Sequence, residues 1–114
     1  MLLLAQDLFF GSRIEGTARS LGREFDSCPS VETLLIRAVG AELVLIDLTI
    51  PELDVAGLLP RLRALDPPPK AVIAFGPHVF TTQLEAAREA GCDDVYTRGA
   101  FDRDMPAILA RYGD

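Results

Sequence analysis

The sequence predicts an α/β fold: a doubly wound, five-stranded parallel sheet with helices on both faces, forming a three-layer sandwich. Two observations carry this reading. Short, almost unbroken apolar runs alternate with stretches in which apolar residues recur every three or four positions. The runs suit strands covered on both faces, and the periodic stretches suit helices with one apolar stripe. Gly, Pro and small polar residues fall between them. Right-handed crossovers then wind the order βαβαβαβαβα into such a sheet.

Leu2–Gln6 reads as the first strand, and Phe10, Ile14, Ala18 and Leu21 mark the first helix. Arg23–Cys28 is a second strand with poor alternation, followed by a helical stripe of Val31, Leu34, Leu35 and Ala38. Glu42–Asp47 is the third strand, and Val55, Leu58, Leu62 and Leu65 give the third helix. Pro60 lies inside that stripe, so the helix starts near Gly57 or is kinked. Pro67, Pro68 and Pro69 end it and set an extended approach to the fourth strand, Lys70–Phe75. Phe80, Leu84 and Ala87 mark the fourth helix, where Thr82 and Glu85 have capping-box spacing. Asp94–Thr97 is the fifth strand, and Met105, Ile108, Leu109 and Tyr112 mark the last helix. Pro106 should sit in the first turn of that helix, which places its start between Asp102 and Asp104. Gly22, Gly40 and Gly91 stand where helices want a left-handed cap.

Composition narrows the class without naming a function. The 114 residues make one domain, 1–114, and leave no room for a second core with a linker. Lys+Arg 11 against Asp+Glu 17 gives a net charge of −6, which argues against nucleic acid as a partner, since phosphate contacts need clustered cations. No apolar run approaches the roughly 20 residues of a membrane span. The opening run is too short for a secretory signal. Cys28 and Cys92 lack metal or redox spacing and read as reduced, packed thiols of a cytoplasmic protein.

In an open α/β sheet, chemistry is expected beyond the carboxyl ends of the strands. The residues there are Ala5, Gln6 and Asp7, then Asp47, then Gly76, Pro77 and His78, and finally Thr97 and Arg98. No G-x-G-x-x-G, Walker A or nucleophile-elbow pattern appears, and an enzyme of another chemistry has no motif behind it. Asp47 ends an apolar run and is followed by Leu48-Thr49-Ile50-Pro51-Glu52-Leu53-Asp54. Here the chain resembles a response-regulator receiver domain, whose third strand ends in a phosphoacceptor Asp with Pro four residues on and Asp seven on. Glu89-Ala90-Gly91-Cys92-Asp93-Asp94 is similar to the run before that family's fifth strand, and Phe101-Asp102 to the start of its last helix. The resemblance covers nearly the whole chain and implies a flavodoxin-like (βα)5 fold.

The departures are equally specific. The acidic pair that would hold Mg²⁺ in a receiver corresponds to Ala5 and Gln6, with Asp7 one residue further on. The hydroxyl residue after the fourth strand corresponds to Gly76, the Lys after the fifth to Arg98, and the aromatic switch position to Val95, with Tyr96 beside it. The expectation is therefore a degenerate pseudo-receiver that works by protein–protein contact without phosphorylation. The alternative is a working two-component receiver phosphorylated on Asp47 with Mg²⁺ held by Asp7 and Asp47. Asp47 is either the acceptor or a strand-end carboxylate capping the next loop. Asp7 reads first as an N-cap and second as a metal ligand. Arg98 could pair with Asp47 and mimic a fixed state. His78 reads as a solvated loop residue. No cofactor is expected beyond a weakly held Mg²⁺. Phe80, Tyr96 and Phe101 are the candidate partner surface if exposed, for another protein or a second copy of the chain. Because little follows Arg111-Tyr112, any output is expected from a separate chain.

Overall fold

The computed structural model describes residues 1–112. The elements are β1 (Leu2–Leu4), α1 (Leu8–Ser20), β2 (Asp26–Cys28), α2 (Val31–Arg37), β3 (Val44–Asp47), α3 (Val55–Arg63), β4 (Val72–Gly76), α4 (Thr81–Ala90), β5 (Asp94–Thr97) and α5 (Arg98–Tyr112). The strands form one sheet in the order β2-β1-β3-β4-β5, with every neighbouring pair parallel. The doubly wound three-layer sandwich that the sequence predicts is the fold.

Strand alternation divides the core into two. Leu2, Leu4, Val44, Ile46, Val72 and Ala74 pack toward Leu34 of α2, Leu58 and Leu62 of α3 and Leu84 of α4. Leu3, Leu45, Ile73 and Phe75 face Ile14 and Ala18 of α1 and Phe101 and Ile108 of α5. Every residue of β3 and β4 is buried. That double burial explains why their sequences are unbroken apolar runs, where a half-exposed strand would alternate. β2, at one edge, exposes Asp26 and Ser27 and buries only Cys28, which is why its pattern is faint.

Helix starts differ from the sequence reading in three places. α3 begins at Val55, ahead of Gly57, because the Asp54 carboxylate accepts a hydrogen bond from the Gly57 amide at 3.0 Å and caps the first turn. Pro60 therefore lies inside that helix. In α4 the capping box does not form: Phe80 occupies the N-cap position and no side chain caps the helix. α5 starts at Arg98, directly after β5, and Pro106 lies in its interior. Its buried stripe is Phe101, Met105, Ile108 and Leu109, which extends a full turn ahead of the stripe expected from Met105 onward. Thr97 Oγ1 accepts the Ala100 amide at 3.3 Å and supplies a partner for that early turn. The cap expectation holds: Gly22, Gly40 and Gly91 all take positive φ.

The expected partner surface does not survive as drawn. Phe101 is 0% exposed, and its ring stacks on Phe75 with centroids 4.6 Å apart. Its place on the buried stripe of α5 makes it core. Phe80 and Tyr96 are half-buried, and the Tyr96 hydroxyl is tied to Asp94 Oδ2 at 3.1 Å. Burial, reinforced by that carboxylate, pushes the Tyr96 phenol up to about 12. The large apolar side chains that do reach solvent include Leu8, Phe9, Ile36 and Val79. Cys28 and Cys92 are unpaired, and burial pushes the Cys92 thiol up to about 11.

Two stability measurements test this account. Phe101→Ala should lower the urea unfolding free energy by about 3–5 kcal/mol, as loss of a buried ring does; a change near zero would make Phe101 a surface residue. The loop after β3 closes as a turn in which the Leu53 amide reaches Ile50 O at 3.3 Å, with Pro51 second and Glu52 third at φ 62°. That third position favours Gly. Glu52→Gly should therefore stabilise the protein by about 1 kcal/mol in the same assay, the relief of strain outweighing the entropy of Gly.

Candidate functional site

The register of β3 places Asp47 beside Phe75 on β4, at the carboxyl edge of the central strand. Alternation puts its side chain on the α1–α5 side, the side to which Leu45 and Phe75 belong. Asp47 is 3% exposed and is the one buried charged residue among those described. A carboxylate there needs hydrogen bonds, and Thr49 supplies two of them. The Thr49 amide donates to Oδ1 at 2.9 Å and its hydroxyl donates to the same oxygen at 2.7 Å. The first is an Asx-turn, the local closure that Asp makes with the residue two positions on. The two bonds hold the side-chain rotamer and leave Oδ2 without a hydrogen bond from the described residues, yet not sealed from solvent.

Asp7 lies at the next mouth of the sheet, between β1 and α1. As the sequence suggests, it is the N-cap of α1: Oδ1 accepts the Phe9 amide at 3.0 Å and the Phe10 amide at 3.1 Å. Its other oxygen takes Arg98 Nη2 at 2.8 Å. The Phe10 amide, then Arg98, hold the Asp7 carboxyl below its ordinary value of 3.8. Arg98 therefore pairs with Asp7, and the expected pairing with Asp47 is not formed. Its guanidinium also lies over the Phe10 ring, 4.3 Å from the centroid. Phe10 in turn meets Phe75 edge-on at 5.3 Å, so the cation rests on the aromatic cluster that includes Phe75, the register partner of Asp47 on β4.

The remaining strand ends contribute shape. Gly76 lies opposite Thr97 in the register. A Cβ at Gly76 would come within 3.2 Å of Leu48 Cβ, tighter than ordinary packing, so Leu48 occupies the space of a side chain there. His78 is exposed, as expected of a loop residue. Val95 packs toward the α2–α4 side and Tyr96 toward α5. Among the described residues no group of three or more His, Cys, Asp or Glu is placed to hold a metal. No helix of the described residues is long and apolar enough to cross a membrane.

Sequence reasoning reached Asp47, Asp7 and Arg98 but gave Thr49 and Leu48 no part in the site. The signal for Thr49 was present: an Asp followed two residues later by a residue with both an amide and a hydroxyl can hold its carboxylate twice. The Leu48–Gly76 contact joins the loop after β3 to the end of β4 and has no local signal.

No family model matches the chain, and no curated protein matches it. Solved structures do. The receiver domain of the sensor histidine kinase PA1611 from Pseudomonas aeruginosa PAO1, with a magnesium ion coordinated in its active-site cleft, superposes with a TM-score of 0.79 at 22% identity, covering 97% of this chain and 93% of that one. The BeF3-activated DrrB receiver domain gives 0.77 at 18% identity, covering 97% and 93%. The receiver domain of NtrX from Brucella abortus gives 0.75 at 17%, covering 97% and 95%. The fold is thus the receiver-type, flavodoxin-like (βα)5 sandwich. These likenesses correct the expectation of a degenerate pseudo-receiver that works without phosphorylation. The folds that this chain shares are those of receivers, one with Mg²⁺ in its cleft and one activated by BeF3, and the Asp47 carboxylate keeps one oxygen open.

Asp7→Asn tests the electrostatic role of the cap, because Asn caps a helix about as well as Asp but carries no charge. A carboxyl held below its ordinary value stabilises the fold above that value and loses the effect as pH falls through the lowered one. Wild type should therefore be more stable than Asp7→Asn at neutral pH. The difference should close as pH drops below 3.8 toward the lowered value, and urea unfolding across that range reads it. High salt should shrink the neutral-pH difference, since Asp7 and Arg98 are both partly exposed.

Proposed function

We propose that this chain is a receiver domain that accepts a phosphoryl group on Asp47 and passes its state on through protein contacts. The single observation that carries the reading is the Asp47 carboxylate itself. It stands buried at the end of the central strand, with Oδ1 held by Thr49 and Oδ2 open. A carboxylate so fixed presents one defined oxygen to an incoming phosphorus, and phosphoryl transfer depends chiefly on such positioning.

In the step proposed, Oδ2 of Asp47 bonds to the phosphorus of a phosphodonor while the donor's bridging bond breaks and its leaving group departs with the electron pair. Mg²⁺ suits the donor set, because that ion takes one or two carboxylates and fills its octahedron with water and phosphate oxygens. Asp47 and Asp7 are the carboxylates that would hold it, Asp7 once Arg98 turns away. When bound, the ion neutralises charge on the phosphoryl oxygens. With so few protein ligands its binding is weak. Arg98 contributes the fixed positive charge of this face, held ready by Asp7 and by the Phe10 ring. The likeness to the receiver of a sensor histidine kinase supports a protein as the phosphodonor.

Intact-mass spectrometry tests the reading. Incubation with acetyl phosphate and Mg²⁺ should add one phosphoryl group to the wild type and none to Asp47→Asn. An unmodified wild type under conditions that modify a known receiver overturns it.

A further inference from the structure

Between the first turns of α2 and α3, beside the loop that follows β3, lies a groove of about 370 Å³. Neither Asp47 nor Arg98 lines it. Its floor is apolar: Val31, Ile50 and Leu53 pack against the α2–α4 core and, only half-buried, also line the groove, with Leu58 beneath them. Its rim is charged and exposed, with Glu32, Glu52 and Asp54 set against Arg61. We propose that the groove is a docking site for a cationic segment of a partner protein. An apolar side chain of that segment enters the floor, and a Lys or Arg meets the rim at Glu52 and Glu32.

The sign of the partner follows from what already holds each rim charge. Asp54 gives Oδ1 to the Gly57 amide as the cap of α3. Glu32 stands in the first turn of α2, where the positive end of the helix offsets part of its charge. Glu52 belongs to no helix. Neither Glu32 nor Glu52 has an ion pair among the described residues. The described arginines other than Arg61 all have carboxylate partners, and Arg61 pairs with none of the acids on its own rim. The chain's own cations are engaged elsewhere, so a cation for Glu52 has to come from another molecule.

The shape of the partner follows from the apolar surface. A volume of about 370 Å³ is at the low end of what takes a whole small ligand. The apolar surface also continues outside the groove: Ile36, 78% exposed, lies one turn beyond Glu32 on the same face of α2. An anchor in a hollow with apolar surface running away from it suits a length of chain. A second copy is the poorer occupant, because it brings another net charge of −6.

Peptides of simple repeat test the site by amide chemical-shift mapping on the full chain. The probes are a short peptide of Lys-Leu-Ser repeats, its Glu-Leu-Ser counterpart, and a Lys-Ser-Ser peptide without apolar side chains. The Lys-Leu-Ser peptide should shift the amides of residues 31–32, 50–54, 57–58 and 61 at submillimolar concentration. The other two should bind at least about fivefold more weakly. Glu52→Gly removes the charge at a turn position that favours Gly, so this variant stays folded. It should weaken the Lys-Leu-Ser peptide by about threefold, and adding Glu32→Gln should bring the loss to about tenfold. Equal binding of the Glu-Leu-Ser peptide overturns the cationic partner, and equal binding of the Lys-Ser-Ser peptide overturns the apolar anchor. Shifts centred elsewhere, no shift at millimolar peptide, or a folded double variant that binds like wild type overturn the site itself. If the same amides shift on simple dilution without peptide, the groove is covered by a second copy and the proposal fails. The outcome is independent of whether Asp47 accepts a phosphoryl group.

Discussion

The parallel register of β3 between β1 and β4 is the constraint on which the rest of the structure depends. It holds Leu2, Leu3 and Leu4 against Val44, Leu45 and Ile46, and Asp47 against Phe75. Because both faces of β3 are covered, a slip by one residue would exchange its two apolar sets and turn the Asp47 side chain to the α2–α4 side. The cost of such a slip is most of the core, so the position of one carboxylate is guaranteed by hydrophobic packing and needs no bond of its own. What the carboxylate does need, once buried, is hydrogen bonding, and the turn that follows provides it through Thr49.

The Asp7–Arg98 pair links distant parts of the chain on the same face. Arg98 begins α5 and Asp7 caps α1, so their 2.8 Å contact closes the α1–α5 side of the sandwich across its mouth. Both side chains are partly exposed, and such pairs contribute little to stability. The aromatic floor is the sturdier part. Phe10, Phe75 and Phe101 form a stacked and edge-on cluster, and the Arg98 guanidinium lies on its rim. An ion pair that is weak and exposed can be exchanged, which suits the part proposed for Arg98 toward an incoming phosphoryl group.

Most of the fold could be read from the sequence because most of it follows from periodicity. β5 runs over Asp94–Thr97 in both the reading and the structure, and β3 and β4 were marked by apolar runs that only double burial explains. The failures lie where one position has to answer to two parts of the fold. Pro106 looked like a first-turn residue, but Phe101, buried against Phe75, extends α5 forward to Arg98. Phe101 itself looked available to a partner because its helical stripe was started too late. Thr82 and Glu85 have the spacing of a capping box, yet Phe80 takes the cap position instead. Of the site, Asp47 and Asp7 were legible as strand-end acids. The partner of Arg98 was not, since Asp7 and Asp47 lie at neighbouring strand ends and spacing alone cannot choose between them.

Gly76 shows why the residue types at the strand ends cannot be judged one at a time. Where a receiver carries a hydroxyl after its fourth strand, this chain has none, and the loss alone suggested a failed site. In the structure Gly76 and Leu48 are a matched pair, with Leu48 Cβ standing 3.2 Å from where a Cβ of residue 76 would be. A Ser or Thr at 76 would have to displace a leucine that is itself 3% exposed and packed in the α2–α4 core. A hydroxyl instead reaches Asp47 from Thr49, on the same loop as Leu48 and bonded directly to the carboxylate. The loop after β3 thus supplies a bulky side chain to one face and a hydroxyl to the other, because residues 48 and 49 point to opposite sides. Where the end of β4 offers no hydroxyl, the loop after β3 supplies the side-chain contact to Asp47.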